Sequence, residues 1–162
     1  MSLAAADSLM GIFGMKRVVV PKKAKRPKLT PLPTLIRKAD TVTSEFIRRK
    51  HADEHGNVTC VSCGKVLHWK MAHCAHFIGR GKKSTRWLEE NLKPACCGCN
   101  TFNKEYHMRE YTLFMVDFYG KKFVDELRDM EKQVLSASQV RTLAEEAIDD
   151  YTAKTKELRN AA

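Results

Sequence analysis

Four cysteines stand in two short pairs, Cys60-x-x-Cys63 and Cys96-x-x-Cys99, with 32 residues between Cys63 and Cys96. Four thiolates grouped in this way are the donor set of a tetrahedral structural zinc. The segment they bracket carries His73 and His76, a basic glycine-containing loop at 79–86 (GRGKKSTR), and Asn91. Asn100, Lys104 and His107 follow the second pair. These residue types suit phosphodiester hydrolysis, which needs an activated water, charge at the phosphoryl oxygens and help for the leaving oxygen. A neutral imidazole can serve as the base and a divalent ion can supply the rest. Arg80, Lys82, Lys83 and Arg86 can hold the backbone phosphates without reading sequence.

Each of these features also has a plainer reading. Zinc ribbons are very often simple binding modules. A lone histidine on a strand is more often a surface or core residue, the basic loop can be a solvated hairpin loop, and Lys104 and His107 can be the start of a solvated helix. Cys97 cannot easily point the same way as its neighbours' thiolates and reads as packing, as does Cys74 on its strand.

Helices and strands must position these groups. Thr34 to about His55 has Leu35, Ala39, Val42, Phe46 and Ile47 at helical spacing, with Thr34 as N-cap and Gly56-Asn57 as the stop. Arg37, Lys38, Arg48, Arg49 and Lys50 fall largely on its other faces, to meet phosphates or water. Val66, Leu67 and Trp69 predict a short strand, and His73–Ile78 its return. A helix is expected from about Asn100 to Tyr119, with Phe102, Tyr106, Leu113, Phe114 and Phe118 as its apolar stripe and Gly120 as its breaker. A third helix covers about 121–134, packing through Phe123, Val124, Leu127 and Met130. The last runs from Ser138 to about Leu158, with Val140, Leu143, Ala147, Ile148, Tyr151 and Leu158 on one face. That face could pack on the domain or form a homodimer. The chain therefore divides into a basic arm (1–30) expected to lack structure, an N-terminal helical segment (31–57), a zinc-knuckle core (58–119) and C-terminal helices (120–162).

The bulk composition sets bounds. A chain of 162 residues with 43% hydrophobic content can bury one modest core, which a metal staple would reinforce. A net charge of +10 favours a polyanionic partner, nucleic acid before an acidic membrane surface. No apolar run is long enough to span a bilayer. The first 14 residues lack the basic start of a signal peptide. Cysteines in metal spacing suit a reducing compartment, so a cytoplasmic protein is expected. Lys16, Arg17, Lys22, Lys23, Lys25, Arg26 and Lys28 would make the arm a non-specific DNA tether or a solubilising tail.

The order Cys-x-x-Cys-Gly, Ala-His-Phe-Ile, basic loop, Asn-Leu, Cys-x-x-Cys-Asn resembles the zinc-knuckle HNH, or His-Me finger, endonucleases. More closely it resembles the lambdoid phage NinG/Rap recombination nucleases, over roughly residues 35–127. The resemblance implies an α+β fold: a small zinc-stapled ββα-metal core flanked by helices. It implies a metal-dependent, structure-selective DNA endonuclease cutting branched intermediates such as Holliday junctions and D-loops, in the bacterial host cytoplasm if phage-encoded. By the same likeness His76 matches the general base, Asn91 the residue that holds the loop and orients that histidine, and Asn100 a ligand or neighbour of a catalytic Mg²⁺ or Mn²⁺. Lys104 or His107 would add charge or lend a proton. His73 falls where the family tends to carry an acidic residue; imidazole ligates transition metals but is a poorer ligand for magnesium. The proline often found after the base is replaced by Phe77-Ile78-Gly79. The competing readings are a non-catalytic, zinc-containing DNA-binding accessory protein of recombination, and an RNA-directed knuckle protein dependent on the 2′-hydroxyl.

Overall fold

A computed structural model describes residues 29–161; the basic residues of the expected arm up to Lys28 lie outside them. The first helix, α1, spans Leu32–Lys50. It starts earlier than Thr34 because Pro31 and Pro33 sit at its entry, where a missing N–H costs no hydrogen bond. Arg48, Arg49 and Lys50 close its last turn, where cations meet the negative end of the helix. It stops at Lys50, short of His55, because Asp53 turns the chain: its Oδ1 accepts from the backbone N–H groups of His55 and Asn57.

Two short antiparallel pairs follow. β1 (Asn57–Thr59) pairs with β2 (Val66–His68), Val58 opposite Leu67. The turn between them holds Cys60 and Cys63, and Gly64 directly after the second thiol has φ +69°, the conformation expected of a glycine there. β3 (His73–His76) pairs with β4 (Leu92–Ala95), His76 opposite Leu92 and His73 opposite Ala95. The return strand at His73 thus belongs to β4, not to the Val66 strand. A single 3₁₀ turn at Trp69–Met71 intervenes. β4 is buried along its whole length, which makes it the central partner.

Cys96 opens a π-type turn at Gly98–Phe102, and α2 begins only at Lys104, running to Tyr119. Gly120, at φ +82°, breaks α2 from α3 (Lys121–Glu131), and α4 spans Ala137–Ala161. Two apolar clusters result. In one, Leu35, Ala39, Phe46 and Ile47 of α1 pack against Val140, Ala144, Ala147, Ile148 and Tyr151 of α4, with Trp87 and Leu92 at the edge. The stripe on α4 that could have served a homodimer is therefore covered by α1. The other cluster surrounds the cysteines: Ala75, Phe77, Ile78 and Ala95 with Tyr111 and Met115 of α2 and Val124 and Leu127 of α3. The buried face of α2 is His107, Tyr111 and Met115, while Phe102, Leu113 and Phe118 of the expected stripe are exposed. A polar-looking i, i+4 series at 107, 111 and 115 concealed the true inner face. Among the described residues no helix is long and apolar enough to cross a membrane.

Candidate active site and zinc centre

The two knuckles meet. The sulfurs of Cys60, Cys63, Cys96 and Cys99 all lie within 4.8 Å of one another, with Cys63 Sγ 3.8 Å from Cys96 Sγ. Zinc–sulfur bonds of ~2.3 Å in a tetrahedron place sulfurs about 3.8 Å apart, so the cluster could hold a zinc ion. Cys97 points elsewhere, its Sγ 3.9 Å from Thr101 Oγ1. Cys74 is half-buried on β3, and burial pushes its thiol up to about 12, so it stays protonated. The Cys60 knuckle is joined to β4 by Val61 N–H donating to Pro94 C=O (3.0 Å). It is joined to α2 by Tyr106 OH donating to Ser62 C=O (3.2 Å) and by Ser62 Oγ against His107 Nδ1. The staple therefore fixes both the strand pair and the first turn of α2.

Between those elements lies an open cleft of ≈ 580 Å³, lined by His73, His76, Arg80, Asn100, Lys104 and His107 with Cys74, Gly79, Thr101 and Met108. Asn100 Nδ2 lies 3.2 Å from His73 Nδ1. Two hydrogen-bonding states satisfy this pair. The amide N–H can donate to Nδ1, or, with the amide turned over, Nδ1–H can donate to the amide oxygen. The second leaves a lone pair on His73 Nε2, free for a cation. Among the described residues no carboxylate lines the cleft.

His76 sits where this cleft meets a second groove along α1, of ≈ 360 Å³, and Cys74 and Arg80 line both. Burial and the nearby Arg86 and Arg80 charges push the His76 imidazole down to about 4; Asp40 and a backbone hydrogen bond to Arg86 act in the opposite direction. At neutral pH His76 is therefore uncharged, the state a general base requires, though a weakly basic one. His107 is nearly enclosed, which lowers its pKa, and its Nδ1 is occupied by Ser62. Lys104 is exposed at the start of α2.

Asn91 is 0% exposed and does not line the cleft. Its Oδ1 accepts from Ile78 N–H (2.7 Å), and its Nδ2 donates to Ile78 C=O (3.0 Å) and Thr85 C=O (2.9 Å). It clamps both ends of the 79–84 loop and, through Ile78, the backbone two residues beyond His76. Its side-chain amide is thus committed to backbone groups and does not reach the cleft.

The four basic residues of the loop separate. Arg80 is exposed at the junction of cleft and groove. Lys82 is exposed and 3.4 Å from Glu131. Lys83 lies on the other side, in a pocket with Leu143, Glu146 and Asp150 of α4. Arg86 is not a surface cation at all. It is buried, donates Nε to Asp40 Oδ1 (2.8 Å) and Nη2 to Asp40 Oδ2 (2.5 Å), and also donates to Arg80 C=O. Burial alone would raise the Asp40 pKa, but Arg86 and the Trp87 indole N–H more than offset it and hold the carboxyl ionised. The sequence reading missed this pair. A single Asp in a helix that also carries many basic residues gives no hint that it meets an arginine 46 residues away.

The model of the family described as Bacteriophage Lambda NinG protein matches residues 16–161. No curated protein and no solved structure matches the chain.

Proposed function

We propose, from the premise that the chain belongs to the NinG family, that it is a metal-dependent, structure-selective DNA endonuclease acting on branched recombination intermediates. The observation that carries this reading is the convergence of His73, His76, Asn100, Arg80 and Lys104 on one open cleft beside the four-cysteine cluster. The antiparallel β3–β4 pair followed by α2 supports a ββα-metal arrangement of the HNH type.

In this mechanism His76, kept neutral by burial and by Arg86, takes a proton from the attacking water. Asn91 holds the following backbone so that the imidazole keeps its orientation. Arg80 and Lys104 place positive charge beside the scissile phosphate. His73 would hold a divalent ion through Nε2, with Asn100 fixing the ring from Nδ1, and the ion when bound would supply charge stabilisation at the phosphoryl oxygens and at the leaving 3′ oxygen. An imidazole donor without a carboxylate suits Mn²⁺ better than Mg²⁺. The product carries a 5′-phosphate. Exposed Arg80 and Lys82 bind backbone without sequence readout, which is consistent with recognition of DNA shape.

The experiment is a matrix of labelled Holliday-junction, D-loop, plain duplex and RNA duplex substrates. Each is incubated with zinc-loaded protein alone, with Mg²⁺ and with Mn²⁺. Nicks near the branch that need the added ion, strongest with Mn²⁺, are expected. Tight junction binding with no cleavage under any ion would favour the non-catalytic accessory role instead.

A further inference from the structure

A cavity of ≈ 690 Å³ shares no lining residue with the cleft of His73 and His76, and His51 is among its own lining. Its lining includes Lys93 and Pro94 of β4, Phe114, Phe118 and Tyr119 of α2, and Glu89. Its floor is unusual in holding Lys93, which is only 6% exposed. The ammonium donates to Leu92 C=O (3.2 Å) and to Tyr119 OH (2.8 Å), and among the described residues it has no carboxylate partner. A lysine ammonium has three donors, so one is left without a protein acceptor at hydrogen-bond distance among the described residues. Burial lowers the Lys93 pKa, and the nearby Glu89 and Glu90 charges only partly offset it. Glu89, at the rim, is already held by Lys50.

The wall is aromatic. Phe114 and Phe118 are stacked with centroids 5.5 Å apart and planes 11° from parallel. Tyr119 meets Phe118 edge-on at 4.8 Å and continues to Phe123 at 4.9 Å. Phe118 is 67% exposed, so one face of this ladder is open to solvent. An exposed ring stack beside a buried donor suits a planar aromatic ligand with acceptor atoms on one edge. On a DNA-binding chain that ligand is a base without a pairing partner.

We infer that this cavity is a second DNA site, which takes an unpaired keto base, thymine or guanine, stacked on Phe118 with its carbonyl edge toward Lys93 Nζ. The site rests on the reading of the chain as DNA-binding, but not on cleavage. It would let the protein sense a branch by the bases left unpaired there, on a surface separate from the histidine cleft. Fully paired duplex offers no such base.

The test measures binding of an eight-nucleotide oligo-dT and an eight-nucleotide abasic strand of equal charge to the full zinc-loaded chain. The wild type is expected to bind oligo-dT about fivefold or more above the abasic strand, since base stacking contributes at this scale. Phe118→Ala, at an exposed position that should not disturb folding, is expected to abolish that preference while leaving abasic affinity unchanged. Lys93→Met, checked by thermal melting, is expected to reduce it; if that variant does not fold, Phe118→Ala decides alone. Equal affinity for the two strands in the wild type, or a preference that survives Phe118→Ala, would overturn the site while leaving DNA binding intact. Binding of neither strand, together with no junction binding, would overturn both readings. A base preference in a protein that cleaves nothing would keep the pocket and remove only the nuclease.

Discussion

The α1–α4 half and the cysteine half are held together by different physics. In the first, long helices bury Leu35, Phe46, Ile47, Ile148 and Tyr151 against each other, and apolar burial dominates, with an Arg159–Glu45 ion pair (2.6 Å) joining α4 to α1 at the surface. In the second, strands of three or four residues and two modest helices enclose a cluster that includes three of the four knuckle thiols, Cys60, Cys96 and Cys99, with Cys63 at the surface. Strands this short rarely persist unaided. The difference teaches that apolar burial carries one half while the other is built around a cluster that could hold zinc, and that the histidine cleft lies on the cysteine side. His76 pairs with Leu92, whose side chain belongs to the α1–α4 cluster, so this histidine stands at the seam.

The largest expected effect breaks this comparison on the cysteine side. Replacing Cys96 by Ser, or stripping zinc, should abolish zinc content and unfold the strands with α2 and α3, because metal affinity is folding free energy in such sites. Hydrogen exchange should show α1 and α4 retaining protection in the stripped protein; uniform loss across the chain would show one cooperative unit instead. Next, Ile47→Ala in the other half should cost about 2–5 kcal/mol by denaturant titration, with zinc content unchanged.

A third contrast separates two arginines of one loop. Arg86→Ala removes the Asp40 partner and should cost ~2–3 kcal/mol, below the range for a fully buried pair because Asp40 keeps some solvent contact. Arg80→Ala should leave stability within about 0.5 kcal/mol. It should weaken binding to every DNA alike and reduce the slope of log affinity against log salt by about 1.

A further effect is on pH. His76 has a folded pKa of about 4, below its ordinary 6.5, so the unfolded chain binds more protons in this window. Stability from this residue is complete above about 6.5 and is lost as pH falls toward 4. His76→Asn should flatten that slope in melts taken across the window. Cleavage by the wild type should likewise keep its rate below the pH at which an ordinary histidine becomes protonated.

The sequence made some of this legible and hid the rest for identifiable reasons. The convergence of the four cysteines could be read because Cys-x-x-Cys spacing is local chemistry that tertiary context rarely alters. The helical periodicities of α1, α3 and α4 were equally plain, since their apolar residues face inward. α2 was misread because His107 and Tyr111 occupy its core face while Phe102, Leu113 and Phe118 are exposed. Hydrophobicity alone assigns those side chains to the interior. The strand at His73 was paired with the wrong neighbour because its true partner, Leu-Lys-Pro-Ala, contains a lysine and a proline that argue against a buried strand. Among the cleft residues, His73, His76, Asn100 and Lys104 were named from type and spacing. Arg86 was assigned to phosphate because a charge run does not reveal which member will find a buried carboxylate.

The most direct measurement compares wild type with His76→Ala on one labelled junction with Mn²⁺, recording zinc content, binding and cleavage in the same preparations. The account predicts equal zinc, junction affinity within about twofold, and cleavage reduced by about 10²–10⁴-fold, the scale of general-base catalysis. Cleavage that survives in a fully zinc-loaded, junction-binding His76→Ala protein would contradict it, and would place the chemistry outside this cleft.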